Sequence, residues 1–362
     1  MTTDITTTDV RLKRTGRIGH IELDRPRAIN ALTHDMVRAI AAALDDWEHD
    51  DGVGAVVLTG AGERGLCAGG DIRAIHDDAK AGGTATRDFW RDEYRLDARI
   101  ARYPKPFVAV MDGLVMGGGV GLSAHASHRI VTERTRLSMP ETGIGFVPDV
   151  GGTWLLGRAS GELGTHAALT GCALGPGDVL AMGLADWYLP TDTVPALLAA
   201  LGDVRVTGAA FDEHLGHLLQ HLAAPEPEAG LGASRWWIDR CYADGTAEQI
   251  VARLAASGVP DAEDTAKTIG QRSPSCVKVA LESVRRARRL PSLEHALDQE
   301  FRVSLRCLTE PDMVEGIRAQ VIDKDRNPRW DPPVLERVGD DHVAGYFAPL
   351  TDTAELGLGE GR

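Results

Sequence analysis

The sequence predicts an α/β fold whose C-terminal part is helical, and three observations predict it. Short apolar runs of strand length alternate with helix-patterned segments in the first part of the chain. The last third carries two long helical patterns. Between them, residues 107–153 hold an apolar run that stops at Gly117, Gly118 and Gly119 and restarts as the helix-compatible segment VGLSAHA.

Residues 18–23 (IGHIEL) form a strand with Ile21 and Leu23 on one face, ended by Asp24-Arg25-Pro26. Thr33 is placed to cap the following helix, which carries Val37, Ile40, Leu44 and Trp47 at helical spacing. Residues 54–60 (GAVVLTG) read as a buried strand, and the loop AGERGLCAGGD follows. A polar, mobile segment is expected over 77–87. A helix with Phe89, Trp90, Tyr94, Leu96 and Ile100 comes next and stops at Pro104. After the strand and helix of the central stretch, residues 151–169 resume as helix. From 203 to 264 the signal weakens to a linker-like APEPEAG and short helices. Residues 274–290 place Val277, Ala280, Leu281 and Val284 on one helical face, and Pro291-Ser292 restarts a helix bearing Leu293, Leu297, Phe301 and Leu305. The boundaries expected are 10–202 for the α/β core, 203–335 for the helical region and 336–362 for a flexible tail.

At 362 residues and 43% hydrophobic content the chain can bury a full core without staples. No apolar run approaches the roughly 20 residues of a membrane helix. The N-terminal MTTDITTTDV has neither the basic-then-apolar order of a signal peptide nor the arginines of a transit peptide. Five scattered cysteines (67, 172, 241, 276, 307), with no CxxC, point to a reducing compartment, read as cytoplasmic, and away from structural zinc. A formal charge of −14 argues against nucleic acid or an anionic membrane as partner and leaves an anionic small molecule open.

A strand that stops at glycines and restarts as a helix leaves backbone N–H groups unpaired, suited to a developing negative charge. Glu141 and Asp149 follow in a glycine- and proline-broken loop among Met139, Pro140, Ile144, Phe146, Val147 and Val150. Partial burial there would raise their pKa values and suit them to proton transfer. Other motifs carry less. GAGERG (60–65) fits G-x-G-x-x-G but opens no helix, so a dinucleotide site is disfavoured. SCVK (275–278) has neither SDN nor KTG beside it, no G-x-S-x-G occurs, and no histidine has metal-ligand spacing. The arginines at 285, 286, 288 and 289 read as a solvated helix face.

The segments CAGGDI (67–72), GLVMGGGVGLS (113–123) and MPETGIGFVPDVGGT (139–153) resemble the crotonase, or enoyl-CoA hydratase/isomerase, superfamily, and within it the 3-hydroxyisobutyryl-CoA hydrolase branch. DEYRLD (92–97) and GIRAQVIDKDRNPRW (316–330) extend the likeness. The resemblance implies a crotonase-like spiral of β-β-α units and an oxyanion hole from the Gly70 and Gly118 amides. It implies Glu141 and Asp149 as the catalytic acids and Glu93 as a substrate contact. CoA contacts would fall on Arg25, Arg27, Ala68, Asp71, Ile72 and Lys324. Neither metal nor redox cofactor is implied; a homo-oligomer is left open, trimers recurring in the superfamily. Hydratases of the superfamily resemble GGG-x-E at the glycine turn, where this chain has Gly121. The departure points to thioester hydrolysis over hydration of an enoyl-CoA or a silent CoA-binding role.

Overall fold

The computed structural model describes residues 5–6 and 9–359. Parts of the N-terminal stretch read for targeting, and the last three residues of the expected tail, lie outside them. In chain order come β1 (Ile5–Thr6), β2 (Val10–Thr15), β3 (Ile18–Leu23), α1 (His34–His49), β4 (Ala55–Gly60) and β5 (Gly65–Cys67). Then follow α2 (Ile72–Ala81), α3 (Ala85–Ala101), β6 (Phe107–Met111), β7 (Leu114–Met116), α4 (Gly118–Ala124), β8 (His128–Val131) and β9 (Arg136–Ser138). A 3-10 turn, Glu141–Ile144, precedes α5 (Gly152–Arg158), α6 (Leu163–Thr170), α7 (Pro176–Ala181), β10 (Trp187–Tyr188), α8 (Val194–Asp203) and α9 (Ala209–Leu222). The rest is helical: α10 (Arg235–Tyr242), α11 (Ala247–Ala255), α12 (Pro260–Gly270), α13 (Pro274–Ala287), α14 (Leu293–Thr309), α15 (Pro311–Ile317) and α16 (Asp340–Gly345).

The chain divides into two compact units, each assembled from separated segments. The first takes residues up to 70, 95–137 and 174–230; the second takes 71–94, 138–173 and 231 onward. The sequence had suggested three consecutive regions, 10–202, 203–335 and 336–362.

The first unit is built on a seven-stranded sheet in the order β1-β2-β3-β4-β6-β8-β10, with a smaller sheet β5-β7-β9. β1, β2 and β3 pair antiparallel, and every neighbour from β3 to β10 is parallel. Parallel strands need both faces covered, which explains why β4 and β6 are almost wholly apolar. On one face, Val57, Val108, Val110, Ile130 and Leu189 pack with Leu197 and Leu201 of α8 and with Phe211, Leu215 and Leu219 of α9. The helix-patterned residues just past 202 thus close the core of this sheet. β7 escaped the sequence reading because three residues are too few to show a period.

In the second unit the segment expected to be mobile is helical. Asp71 caps α2, and Gly82 ends it in the left-handed conformation. Only Ile75 and His76 of this helix are buried, so its apolar signal is faint. The Asp78 carboxylate then accepts the amides of Ala85 and Thr86 and starts α3. The helix expected over 151–169 is two, α5 and α6, separated at a left-handed Gly161. The C-terminal segment is held against α3 and α14 rather than free. Arg302 pairs with Glu355, Arg91 donates to the Ala354 and Glu355 carbonyls, and Asp298 accepts the amides of Leu358 and Gly359. Leu356 is buried.

Phe211 is fully buried where α9 meets the sheet. Phe211→Ala is expected to cost about 3–5 kcal/mol through lost burial and the cavity left behind. Urea unfolding would read this as a lowered midpoint at unchanged m-value.

Candidate active site

The first unit holds the amide turn. Gly117 adopts a backbone (φ 44°, ψ −119°) that favours glycine and turns the chain from β7 into α4. The Val120 and Gly121 amides both donate to the Gly117 carbonyl, which leaves the Gly118 amide, at the first position of the helix, outside the helix's own ladder. A Cβ on Gly119 would lie 2.8 Å from the Cys67 Cβ and carbonyl oxygen, so only glycine lets α4 pack on the CAGGD loop. In that loop the Gly69 amide donates to the Cys67 sulfur, and the Gly69 carbonyl accepts from Leu32. Gly70 sits opposite Leu32 in a parallel bridge, with its own N–H turned away from that pairing. A Cβ built on Gly69 falls 3.6 Å from the Gly118 nitrogen, so the two glycine turns lie side by side. The two glycine turns that carry the Gly70 and Gly118 amides therefore lie together in the first unit.

Asn30 anchors this turn and was missed. It is fully buried at φ 54°, accepts the Arg25 amide, and donates to the carbonyls of Ala61, Gly65 and Leu66. One buried asparagine in a loop carries no sequence signal of its own.

The second unit holds the acid cluster. Trp90, Glu93 and Tyr94 recur at helical spacing on α3, and all three are buried. Trp90 stacks on Phe146 at 5.1 Å, which walls the cluster with aromatic surface. Glu141 opens the 3-10 turn and Asp149 lies just before α5; they are 6% and 5% exposed. Glu93 Oε1 and Glu141 Oε2 are buried with no hydrogen-bond partner in the protein. Asp149 is different: Tyr94 donates to its Oδ2 at 2.7 Å. The Tyr94 oxygen also meets Ser304 Oγ at 2.8 Å, and Phe301 stands edge-on to the Tyr94 ring. Glu300 accepts the amides of Gly151 (2.6 Å) and Thr153 (2.9 Å) and the Thr153 hydroxyl. Tyr94, Glu300 and Ser304 were not singled out from sequence.

Burial sets the electrostatics. Desolvation pushes Glu141 and Glu93 well above the ordinary carboxyl range, and the Asp149 charge adds to it. Asp149 is pushed up to about 7 by burial, opposed by the Tyr94 hydrogen bond. Glu300 reaches about 8 by burial, opposed by its bonds to the Thr153 hydroxyl and the Gly151 amide. With a donor aimed at it, Asp149 is the member of the trio that ionises first, and its charge then holds Glu93 and Glu141 in the acid form.

The residues expected to meet CoA are scattered over both units. Arg25 donates to the Ala31 carbonyl and faces Asp9 at 3.6 Å. The Arg27 side chain is exposed, and its carbonyl accepts from Arg64. The Ala68 amide donates to Ile29. Asp71 and Ile72 cap and begin α2, and Lys324 is exposed at φ 59°. Gly121 lies buried inside α4. Among the described residues no group of three or more His, Cys, Asp or Glu side chains is arranged to hold a metal ion.

Residues 18–347 match the model of the family described as enoyl-CoA hydratase/isomerase. The chain is 40% identical over 347 residues to the 3-hydroxyisobutyryl-CoA hydrolase, mitochondrial, of Gallus gallus, covering 94% of this chain and 89% of that protein. Its fold is similar to the crystal structure of a carnitinyl-CoA dehydratase from Mycobacterium thermoresistibile (TM-score 0.91, 49% identity, 98% of this chain and 100% of that one). It is also similar to that of an enoyl-CoA hydratase from Rhodobacter sphaeroides 2.4.1 (TM-score 0.87, 44% identity, 95% and 98%). The crotonase-like fold implied by the motifs is thus shared with solved structures along nearly the whole chain.

A carboxyl whose folded pKa lies above its unfolded value binds its proton more tightly in the fold, so the stability it contributes is lost as pH rises from the unfolded value through the folded one. Glu93→Gln removes that loss. The variant is expected to melt several degrees above the parent at pH 8, with the gap closing as pH falls toward about 4.5. Thermal unfolding across that range would show it, and a gap independent of pH would contradict the assignment.

Proposed function

This chain belongs to the enoyl-CoA hydratase/isomerase family, and from that premise we propose that it hydrolyses a short β-hydroxyacyl-CoA thioester. The substrate proposed is 3-hydroxyisobutyryl-CoA, converted to 3-hydroxyisobutyrate and CoA in valine breakdown. The observation that carries the reading is Glu141, a buried carboxyl with one oxygen unbonded and its acidity weakened by burial and by Asp149. A base so placed is strong once it ionises. The similarity to a protein called 3-hydroxyisobutyryl-CoA hydrolase supports the choice of substrate.

In this reading the Gly70 and Gly118 amides receive the thioester oxygen, and two such donors stabilise a tetrahedral oxyanion by several kcal/mol. Glu141 either attacks the carbonyl, expelling the CoA thiolate and leaving an anhydride that water opens, or takes a proton from the attacking water. Both routes end in the free acid and CoA. Asp149 orients the water or the substrate hydroxyl and assists proton transfer. Glu93, in its acid form, binds the β-hydroxyl; a plain acyl chain would leave this buried group unpaired. Arg27 and Lys324 are the exposed cations proposed for the CoA phosphates, with Arg25, Ala68, Asp71 and Ile72 shaping the approach. The five cysteines, all free, fit a reducing compartment, and the setting proposed is cytoplasmic. A homo-oligomer follows the habit of the superfamily.

A hydratase reading draws on the two solved structures called a dehydratase and a hydratase. Gly121 opposes it, because the second carboxylate that the hydratases resemble at this position is missing.

Release of free CoA thiol from 3-hydroxyisobutyryl-CoA, beside 3-hydroxypropionyl-, isobutyryl- and acetyl-CoA, tests the proposal. Fast release confined to the β-hydroxy substrates is expected; no release from any of them, together with hydration of crotonyl-CoA, would give the function to the rival. Glu141→Gln should lower kcat by roughly 10²–10⁴-fold and leave thioester binding within a few-fold. The base form of Glu141 is required, so kcat/KM should fall as pH drops, along a limb lying above the ordinary carboxyl range near 4.5.

A further inference from the structure

Asp149 precedes a turn that would not hold its shape unaided. Val150, a β-branched residue, sits at φ 53°, and Gly151 follows at φ 78°. A β-branched side chain in the left-handed region is a true outlier and persists only where its surroundings over-determine it. Those surroundings include the Glu300 side chain. Glu300, 1% exposed, accepts the Gly151 amide on one oxygen and the Thr153 amide and hydroxyl on the other. The Gly152 amide closes the turn onto the Asp149 carbonyl at 2.6 Å.

A second support comes from the same helix. Ser304 lies one turn beyond Glu300 on α14 and so shares its face. Tyr94 has a single hydroxyl proton, and it is given to Asp149 Oδ2, so the Ser304 hydroxyl must be the donor in the 2.8 Å contact with the Tyr94 oxygen. That bond fixes the tyrosine and sharpens its own donation.

We propose that Glu300 and Ser304 are positioning residues, which set the Asp149 carboxylate from α14: Glu300 through the backbone of the 149–153 turn, and Ser304 through Tyr94. The assignment rests on the reading above in which Asp149 serves the reaction. Both side chains are buried and spend their polar atoms on protein partners. Tyr94 engages Oδ2 of the carboxylate.

The three donors converging on Glu300 favour its carboxylate form, against the burial that pushes its pKa up to about 8. An amide in its place would turn one NH₂ group toward a backbone N–H, so Glu300→Gln loses one of the two backbone bonds while keeping shape. Amide hydrogen exchange of the peptide spanning 149–154 should then speed by about tenfold or more in Glu300→Gln. In the same variant kcat should fall by about 10–100-fold, the scale on which a misplaced catalytic group is felt, with KM changed less than about threefold.

Ser304→Ala leaves the turn backbone alone. The titratable groups facing Asp149 are Glu93 and Tyr94 from α3, Glu141 from its own turn, and Glu300 and Cys307 from α14. Of these, Ser304→Ala alters only the Tyr94 donor. Its weakening should move the ionisation of Asp149, the lower of two acid steps in the kcat/KM profile beneath that of Glu141, upward by about half to one pH unit, with loop exchange unchanged. Unaltered exchange in Glu300→Gln, or an unmoved lower step in Ser304→Ala, would overturn the corresponding half of the proposal. If Glu300→Gln fails to fold, the Ser304→Ala step decides alone. If the parent protein hydrolyses no thioester, the hydrolase reading falls while the exchange measurement still decides whether Glu300 holds the turn.

Discussion

Desolvation of carboxyl groups is the constraint on which the rest of the second unit depends. Glu93, Glu141 and Asp149 are all nearly excluded from solvent, and a carboxyl so placed is either supplied with donors or keeps its proton. The chain supplies one tyrosine hydroxyl, to Asp149 alone. That hydrogen bond, the largest influence opposing burial at Asp149, helps to sort three like groups into one that charges first and two that resist. The aromatic wall of Trp90 and Phe146 is part of the same device, because it keeps water from levelling the difference.

The first unit solves the opposite problem, presenting donors with no acceptor of their own. It does so with backbone, which holds position better than a flexible side chain. A neighbouring sulfur takes the Gly69 amide, a bridge partner takes the Gly69 carbonyl, and Asn30 ties down three carbonyls of the preceding loop. What remains unpaired is little, and it is placed by everything that is paired.

How much of this was legible follows from sequence distance. The glycine turn and the MPET–PDVGG run are local patterns, so the amides of Gly70 and Gly118 and the acids Glu141 and Asp149 could be named at once. The parallel strands showed themselves because burial on both faces makes them continuously apolar. Tyr94 was visible only as an apolar member of a helix, since its partners are Asp149 and Ser304, far along the chain. Glu300 looked like any charge on a long helix, and its burial becomes meaningful only when Gly151 and Thr153 meet it. α2 hid behind its polar face, and residues past 350 looked free because the arginines and the aspartate that hold them lie on other helices.

The interleaving of segments also sets an order of events while the chain is being made. The first unit has all its parts once residue 230 has emerged, whereas the second holds 71–94 and 138–173 early and receives α14 late. At 5–20 residues per second, the roughly 70 residues from there to Glu300 take about 4–14 s. Through that interval Glu93, Asp149 and Tyr94 are present, but the turn after Asp149 lacks the carboxylate that fastens it and Tyr94 lacks the Ser304 hydroxyl. The acid cluster is therefore completed only when the last long helix arrives.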